Sequence, residues 1–210
     1  SSDKKLFREN LNSLKDQIQH GVESYFVADS ALYVAETIQE ISSKMKWITR
    51  VPEKIVEAKA LIKSMDKLEE IESGYLGREV KSVYGNVEQR WLLIYSKQAY
   101  LREEKTLRKQ VNKENERKNA ELKKLCSQEF DCEKDAENHL KSWAKGLKYH
   151  CVANMEISSR HVKKGRGRPR LNEILENKYQ IIASIVEDPE LVKESLSTKG
   201  RFIIASNELD

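Results

Sequence analysis

The sequence predicts an α/β protein: helices and strands alternate in a core that a largely helical insertion interrupts. Three observations predict it. Near both ends of the 210-residue chain, apolar residues switch between a helical spacing of about 3.6 and short strand-like runs. Between those ends lies a charged stretch, residues 97–124, with neither glycine nor proline. The composition, 34% charged and 39% hydrophobic, exceeds the roughly 25% charge of an average domain, so part of the chain must extend away from any single core.

From Asp3, the spacing of Leu6, Phe7, Leu11, Leu14 and Ile18 is that of an amphipathic helix, with Asp3 placed to cap it and Gly21 to stop it. Tyr25–Ala28 is a short apolar run, read as a strand. Ser30–Ile41 returns to helical spacing through Leu32, Ala35, Ile38 and Ile41, so Asp29 falls where a strand gives way to a helix. Lys46–Val51, closed by Pro52, reads as a second strand, and this succession suits parallel crossovers. Ile55–Met65 reads as a helix; the turn-prone Tyr84-Gly85-Asn86 then precedes a strand at Arg90–Tyr95.

The charged stretch carries only the sparse apolar positions Leu101, Leu107, Val111, Leu122 and Leu125, which predicts a long, solvent-exposed helix. A second helix over Cys132–Leu147, with Ala136, Leu140, Trp143 and Leu147 on one side, is expected to fold back on it as a helical hairpin. Cys151–Ile157 and Asn177–Val186 have strand character. Asp188-Pro189 opens a short helix, Gly200 ends a turn, and Arg201–Ser206 makes a buried final strand. The expected division is residues 1–60 as the first part of the core, 61–176 as the insertion and 177–210 as strands returning to the core.

Several classes are excluded. No apolar stretch approaches the roughly 20 residues of a membrane-spanning helix, and Ser1-Ser2-Asp3-Lys4-Lys5 lacks the apolar core of a signal peptide, so a soluble cytoplasmic chain is expected. Cys126, Cys132 and Cys151 are odd in number and confined to one region, against a disulfide framework. Read with His139 and His150 as zinc ligands they fail on spacing: five residues separate the first two cysteines where structural sites use two to four. Neither a P-loop, a nucleophile elbow nor a glycine-rich dinucleotide turn occurs.

Two features can carry chemistry. Open α/β sheets bind ligands outside the carboxyl ends of their strands, which makes Asp29 the leading catalytic and metal-ligating candidate; the plain alternative is that Asp29 only caps the following helix. Lys163, Lys164, Arg166, Arg168 and Arg170 form a run of five cations without an anion, punctuated by Gly165 and Gly167. Clustered cations are rewarded by counterion release on DNA, and Arg166-Gly167-Arg168-Pro169 resembles an AT-hook core that enters the minor groove. The alternative is a solvated hairpin tip. The net charge of +4 leans toward polyanionic partners.

Tyr25-Phe26-Val27-Ala28-Asp29-Ser30-Ala31-Leu32-Tyr33, Trp47-Ile48-Thr49-Arg50-Val51-Pro52, Arg90-Trp91-Leu92-Leu93-Ile94-Tyr95-Ser96, Lys164-Gly165-Arg166-Gly167-Arg168-Pro169 and Gly200-Arg201-Phe202-Ile203-Ile204-Ala205-Ser206-Asn207-Glu208-Leu209-Asp210 together resemble bacterial insertion-sequence transposases of the DDE type. The resemblance implies a partial ribonuclease-H-like core, a mixed sheet with flanking helices, interrupted by an insertion. It makes Asp29 the second aspartate of an acidic triad that holds two Mg²⁺ or Mn²⁺ ions for DNA cleavage and strand transfer. It places the first aspartate upstream of Ser1 and the glutamate beyond Asp210, so the chain is expected to be an internal fragment, inactive alone. The partners it implies are double-stranded DNA, as transposon ends and target, and a second protomer in a homodimer. The expected setting is a bacterial cytoplasm, near the nucleoid. A non-catalytic DNA-binding or helical interaction protein, a decayed mobile-element remnant, is the other function these residues allow.

Overall fold

A computed structural model of the chain describes residues 25–64, 66–163 and 175–209. The helix expected over residues 3–18 lies outside them, as do Lys164, Arg166, Arg168 and Arg170 of the basic run. The described elements form a mixed α/β protein in two compact units, divided between Glu103 and Glu104 and again between Ser197 and Thr198.

The first unit begins with β1 (Tyr25–Ala28), a 3₁₀ turn (Ser30–Leu32), α1 (Ala35–Ser42), β2 (Lys46–Arg50) and α2 (Val56–Lys63). The helix expected over Ser30–Ile41 is thus split. Tyr33 and Val34 leave helical geometry, Val34 being extended at φ −127° and ψ 136°. Tertiary packing explains the break: Tyr33 is buried, stacked on Tyr84 with ring centroids 4.7 Å apart, and its hydroxyl donates to Gln89 Oε1 at 2.5 Å while accepting from Trp91 Nε1 at 3.0 Å. A continuous helix would carry that ring away from the sheet.

β3 (Glu69–Glu72), β4 (Tyr75–Tyr84) and β5 (Val87–Ser96) follow. The β4–β5 turn is two residues, Gly85 and Asn86, at φ 59° and 57°, the paired positive values of a tight hairpin turn. A side chain at Gly85 would sit 2.8 Å from the Ala35 carbonyl oxygen. After the second unit the chain returns as β8 (Arg201–Ser206), and the sheet order is β1-β2-β8-β5-β4-β3. Among the described residues of this sheet only β1 and β2 pair in parallel, and the other pairings are antiparallel. β8 therefore lies between β2 and β5, aligning Thr49 with Ala205 on one side and Trp91 with Ala205 on the other. One face of this sheet meets α1 and α2 in a core that includes Leu32, Ile38, Trp47, Leu93 and Ile203.

The second unit takes up α3 (Lys97–Cys126) from Glu104 onward and adds α4 (Glu133–Ala144), β6 (His150–Lys163), β7 (Leu175–Glu187) and α5 (Pro189–Ser197). The long helix and the hairpin both form. Leu122 of α3, Ala136 and Leu140 of α4, and Ile181 and Ile185 of β7 are buried together. Val192 of α5 closes over Leu107 and Val111.

Two expected boundaries differ from this arrangement. β3, β4 and β5, placed within the insertion by their position after residue 60, are half of the six-stranded sheet. Residues 177–187, expected to return to the core sheet, instead pair with β6, from His150 opposite Glu187 to Lys163 opposite Leu175, and Tyr179 bridges to Phe130 on its other side. The reason is facing: Ile181 and Ile185, two apart in strand period, are buried on the helical hairpin, which fixes β7 beside it.

Candidate functional site

Asp29 stands at the carboxyl end of β1, and the parallel register that sets Ala28 opposite Thr49 brings it level with Arg50 at the end of β2. Thr49, 1% exposed, donates its hydroxyl to the Asp29 carbonyl oxygen at 2.7 Å and so ties the two strand ends together. The Asp29 backbone is extended at φ −75° and ψ −179°, and its Oδ1 accepts from the Ala31 amide at 2.9 Å, capping the 3₁₀ turn. Both sequence-based roles meet in one side chain: Asp29 is a cap, and it is exposed at strand ends. Its other oxygen takes no hydrogen bond from any described residue.

Around it lies an open groove of about 490 Å³, lined also by Arg50, Pro52, Glu53 and Lys54. The β2–α2 turn that carries these residues is anchored by the Val51 amide, which donates to the Ile203 carbonyl at 2.9 Å, and the Ile55 amide, which donates to Pro52 at 3.1 Å. The groove thus combines one carboxylate with a free oxygen, a second carboxylate at Glu53 and two cations. Among the described residues no three His, Cys, Asp or Glu side chains are placed to hold a metal ion, so these residues do not by themselves make the two-ion centre that Asp29 was expected to share.

No family model matches the chain, and no curated protein and no solved structure matches it. The site is therefore read from its own chemistry.

The basic run begins at Lys163, the last residue of β6, and its other cations lie outside the described residues. Lys163 ends β6 opposite Leu175, the first residue of β7, so residues 164–174 connect the two strands at this end. Two cations on the described ribbon are already paired, Arg160 with Glu129 and Lys178 with Asp131. The cysteines and histidines weighed as zinc ligands do other work: Cys132 caps α4 by accepting from the Asp135 amide, and His139 packs its ring 5.2 Å from that of Phe130. Among the described residues no helix is long and apolar enough to cross a membrane.

Sequence reasoning missed a buried polar cluster on α3. Glu114, 5% exposed, accepts from the amides of Lys148 at 3.0 Å and Tyr149 at 2.8 Å, and lies 2.9 Å from His150 Nδ1. Burial pushes its carboxyl up, but the hydrogen bond with His150 and those from the Tyr149 and Lys148 amides outweigh it and hold the carboxyl below its ordinary range. Four residues on, Lys118 reaches Glu121 at 2.7 Å and lies over the Trp143 ring, whose Nε1 donates to Glu121 at 3.1 Å. The positions 114, 118 and 121 follow helical spacing, but in a stretch so charged throughout that three more charges carried no signal.

Proposed function

We propose that this chain is part of a DNA-recombining phosphoryl-transfer enzyme of the DDE transposase type, with Asp29 as the second of its acidic residues. The observation that carries the reading is the Asp29 carboxylate, with one oxygen uncommitted, at the carboxyl ends of two parallel strands in a cation-bearing groove. Such strand ends are where open α/β sheets bind ligands. On this reading the other two acidic residues come from outside these 210 residues, and divalent ions, Mg²⁺ or Mn²⁺, are held only when all three are present. The basic residues Lys164, Arg166, Arg168 and Arg170 supply the sequence-independent grip on the DNA backbone.

The test is nicking of supercoiled plasmid in Mg²⁺ or Mn²⁺. The 210 residues alone leave the plasmid intact. The same residues in frame with an aspartate-bearing strand upstream and a glutamate-bearing helix downstream nick it, and Asp29→Asn abolishes the activity. Nicking that survives Asp29→Asn refutes the assignment.

One observation favours a second reading. The ribbon that leads into the basic run belongs to a compact unit with its own buried core and without the Asp29 groove. A DNA-binding or interaction module without chemistry would need no more than that. It predicts duplex binding that Arg166→Ala, Arg168→Ala and Arg170→Ala remove together, with no nicking in any extended frame.

A further inference from the structure

The groove beside Asp29 is lined by two cations, Arg50 and Lys54. Arg50 is half exposed and makes a loose ion pair with Glu53, the guanidinium 3.9 Å from the carboxylate and beyond hydrogen-bond distance. It lies over the Phe202 ring, 5.1 Å from the centroid, a contact that steadies a guanidinium plane while leaving its N–H edge open. Lys54 is exposed and makes no ion pair with any described residue. Arg50 is the last residue of β2 and Lys54 lies in the turn that follows, which the Val51 and Ile55 amides hold, so both are presented from a fixed backbone.

We propose that Arg50 and Lys54 are phosphate-positioning residues, which hold the non-bridging oxygens of a DNA phosphodiester in the groove beside Asp29. This rests on the proposed function and adds to it the residues that place the substrate. The two carboxylates limit the charge a ligand can bring. Arg50 and Lys54 face Asp29 and Glu53 in one groove, so the local sum is near zero. A phosphodiester brings only one negative charge to the two cations, whereas the second charge of a phosphomonoester would lie against the two carboxylates. A planar guanidinium fits two phosphate oxygens at once, and the lysine acts as a point charge beside it. The free Asp29 oxygen then lies next to the bound phosphate.

The test is fluorescence anisotropy of a labelled DNA duplex titrated with the 210-residue chain over a range of salt concentrations. Arg50→Gln keeps the stem over Phe202 and removes the charge; Lys54→Gln does the same on the open side. Each is expected to make the log-log salt slope shallower by about 0.9, and the pair by about 1.8, with an unchanged thermal midpoint. Arg50→Lys restores the slope, which a loss of packing would not allow. If Arg50→Gln and Lys54→Gln leave the slope untouched while Arg166→Ala, Arg168→Ala and Arg170→Ala flatten it, the groove does not meet the backbone; this inference falls and DNA binding stands. If the unmodified chain shows no salt-dependent binding to the duplex, the inference and the proposed function fall together.

Discussion

Replacing Glu114 by Gln tests whether the long helix is held to the rest of its unit by a buried charge. The carboxylate accepts from two consecutive amides, Lys148 and Tyr149, and pairs with His150 Nδ1, so it fixes the chain where α4 gives way to β6. A hydrogen bond to a charged group contributes about 1.5–3 kcal/mol, and Gln keeps one acceptor oxygen while losing the charge. The expected cost is about 2 kcal/mol, equivalent to roughly a 30-fold shift in the opening equilibrium. Two readouts check it: the denaturation midpoint, and hydrogen exchange at the Tyr149 amide, which should lose protection by a similar factor. The pH dependence has a definite sign. The Glu114 carboxyl lies below its ordinary value of 4.5 in the folded protein, so its contribution is fully present above pH 4.5 and is lost as the pH falls through the lower folded value. Glu114→Gln should remove that part of the acid sensitivity. Unchanged exchange at Tyr149 and an unchanged acid transition would refute the account.

Leu140→Ala, at a side chain 1% exposed between the hairpin and the ribbon, should cost about 2–5 kcal/mol in denaturant unfolding. Gly85→Ala meets both a positive φ of 59° and the Ala35 carbonyl oxygen at 2.8 Å, so denaturant unfolding should show a loss of stability larger than the penalty of about 1 kcal/mol for left-handed backbone alone. Asp29→Asn should melt with the unmodified chain because Asn caps as well as Asp, whereas Asp29→Ala should lose about 1 kcal/mol; equal melting of all three would remove the cap from the argument.

The second unit was legible in its helices and, over shorter spans than the ribbon reaches, in its two strands. Residues 97–126 and 133–144 stand out because helical periodicity is a local property and Cys132 and Ala144 bound a clear apolar stripe. In the first unit β4 left little trace: its residues are mostly exposed on a sheet hairpin, so the contrast between inward and outward positions is weak. The break at Tyr33 was illegible because local spacing through Leu32, Ala35 and Ile38 suits a helix, and only the distant Tyr84, Gln89 and Trp91 pull Tyr33 out of it.

For the candidate site, Asp29 was legible from its place between an apolar run and a helical one. Arg50 and Lys54 were not singled out, because a cation after a strand is ordinary until the neighbouring strand is known. Glu114 offered no signal at all within a helix where charge is the rule.

What the amino-acid order determined by itself was therefore short-range: which segments are helices, where strands end, and that Asp29 follows one of them. Which strands lie side by side was decided only by tertiary structure. β8 enters between β2 and β5, and β7 joins β6, because pairing partners are chosen by which apolar faces can be buried at once, over separations that no local period encodes. The groove that sets Asp29 beside Arg50 exists for the same reason: it is made by two parallel strands meeting, and neither strand carries it alone.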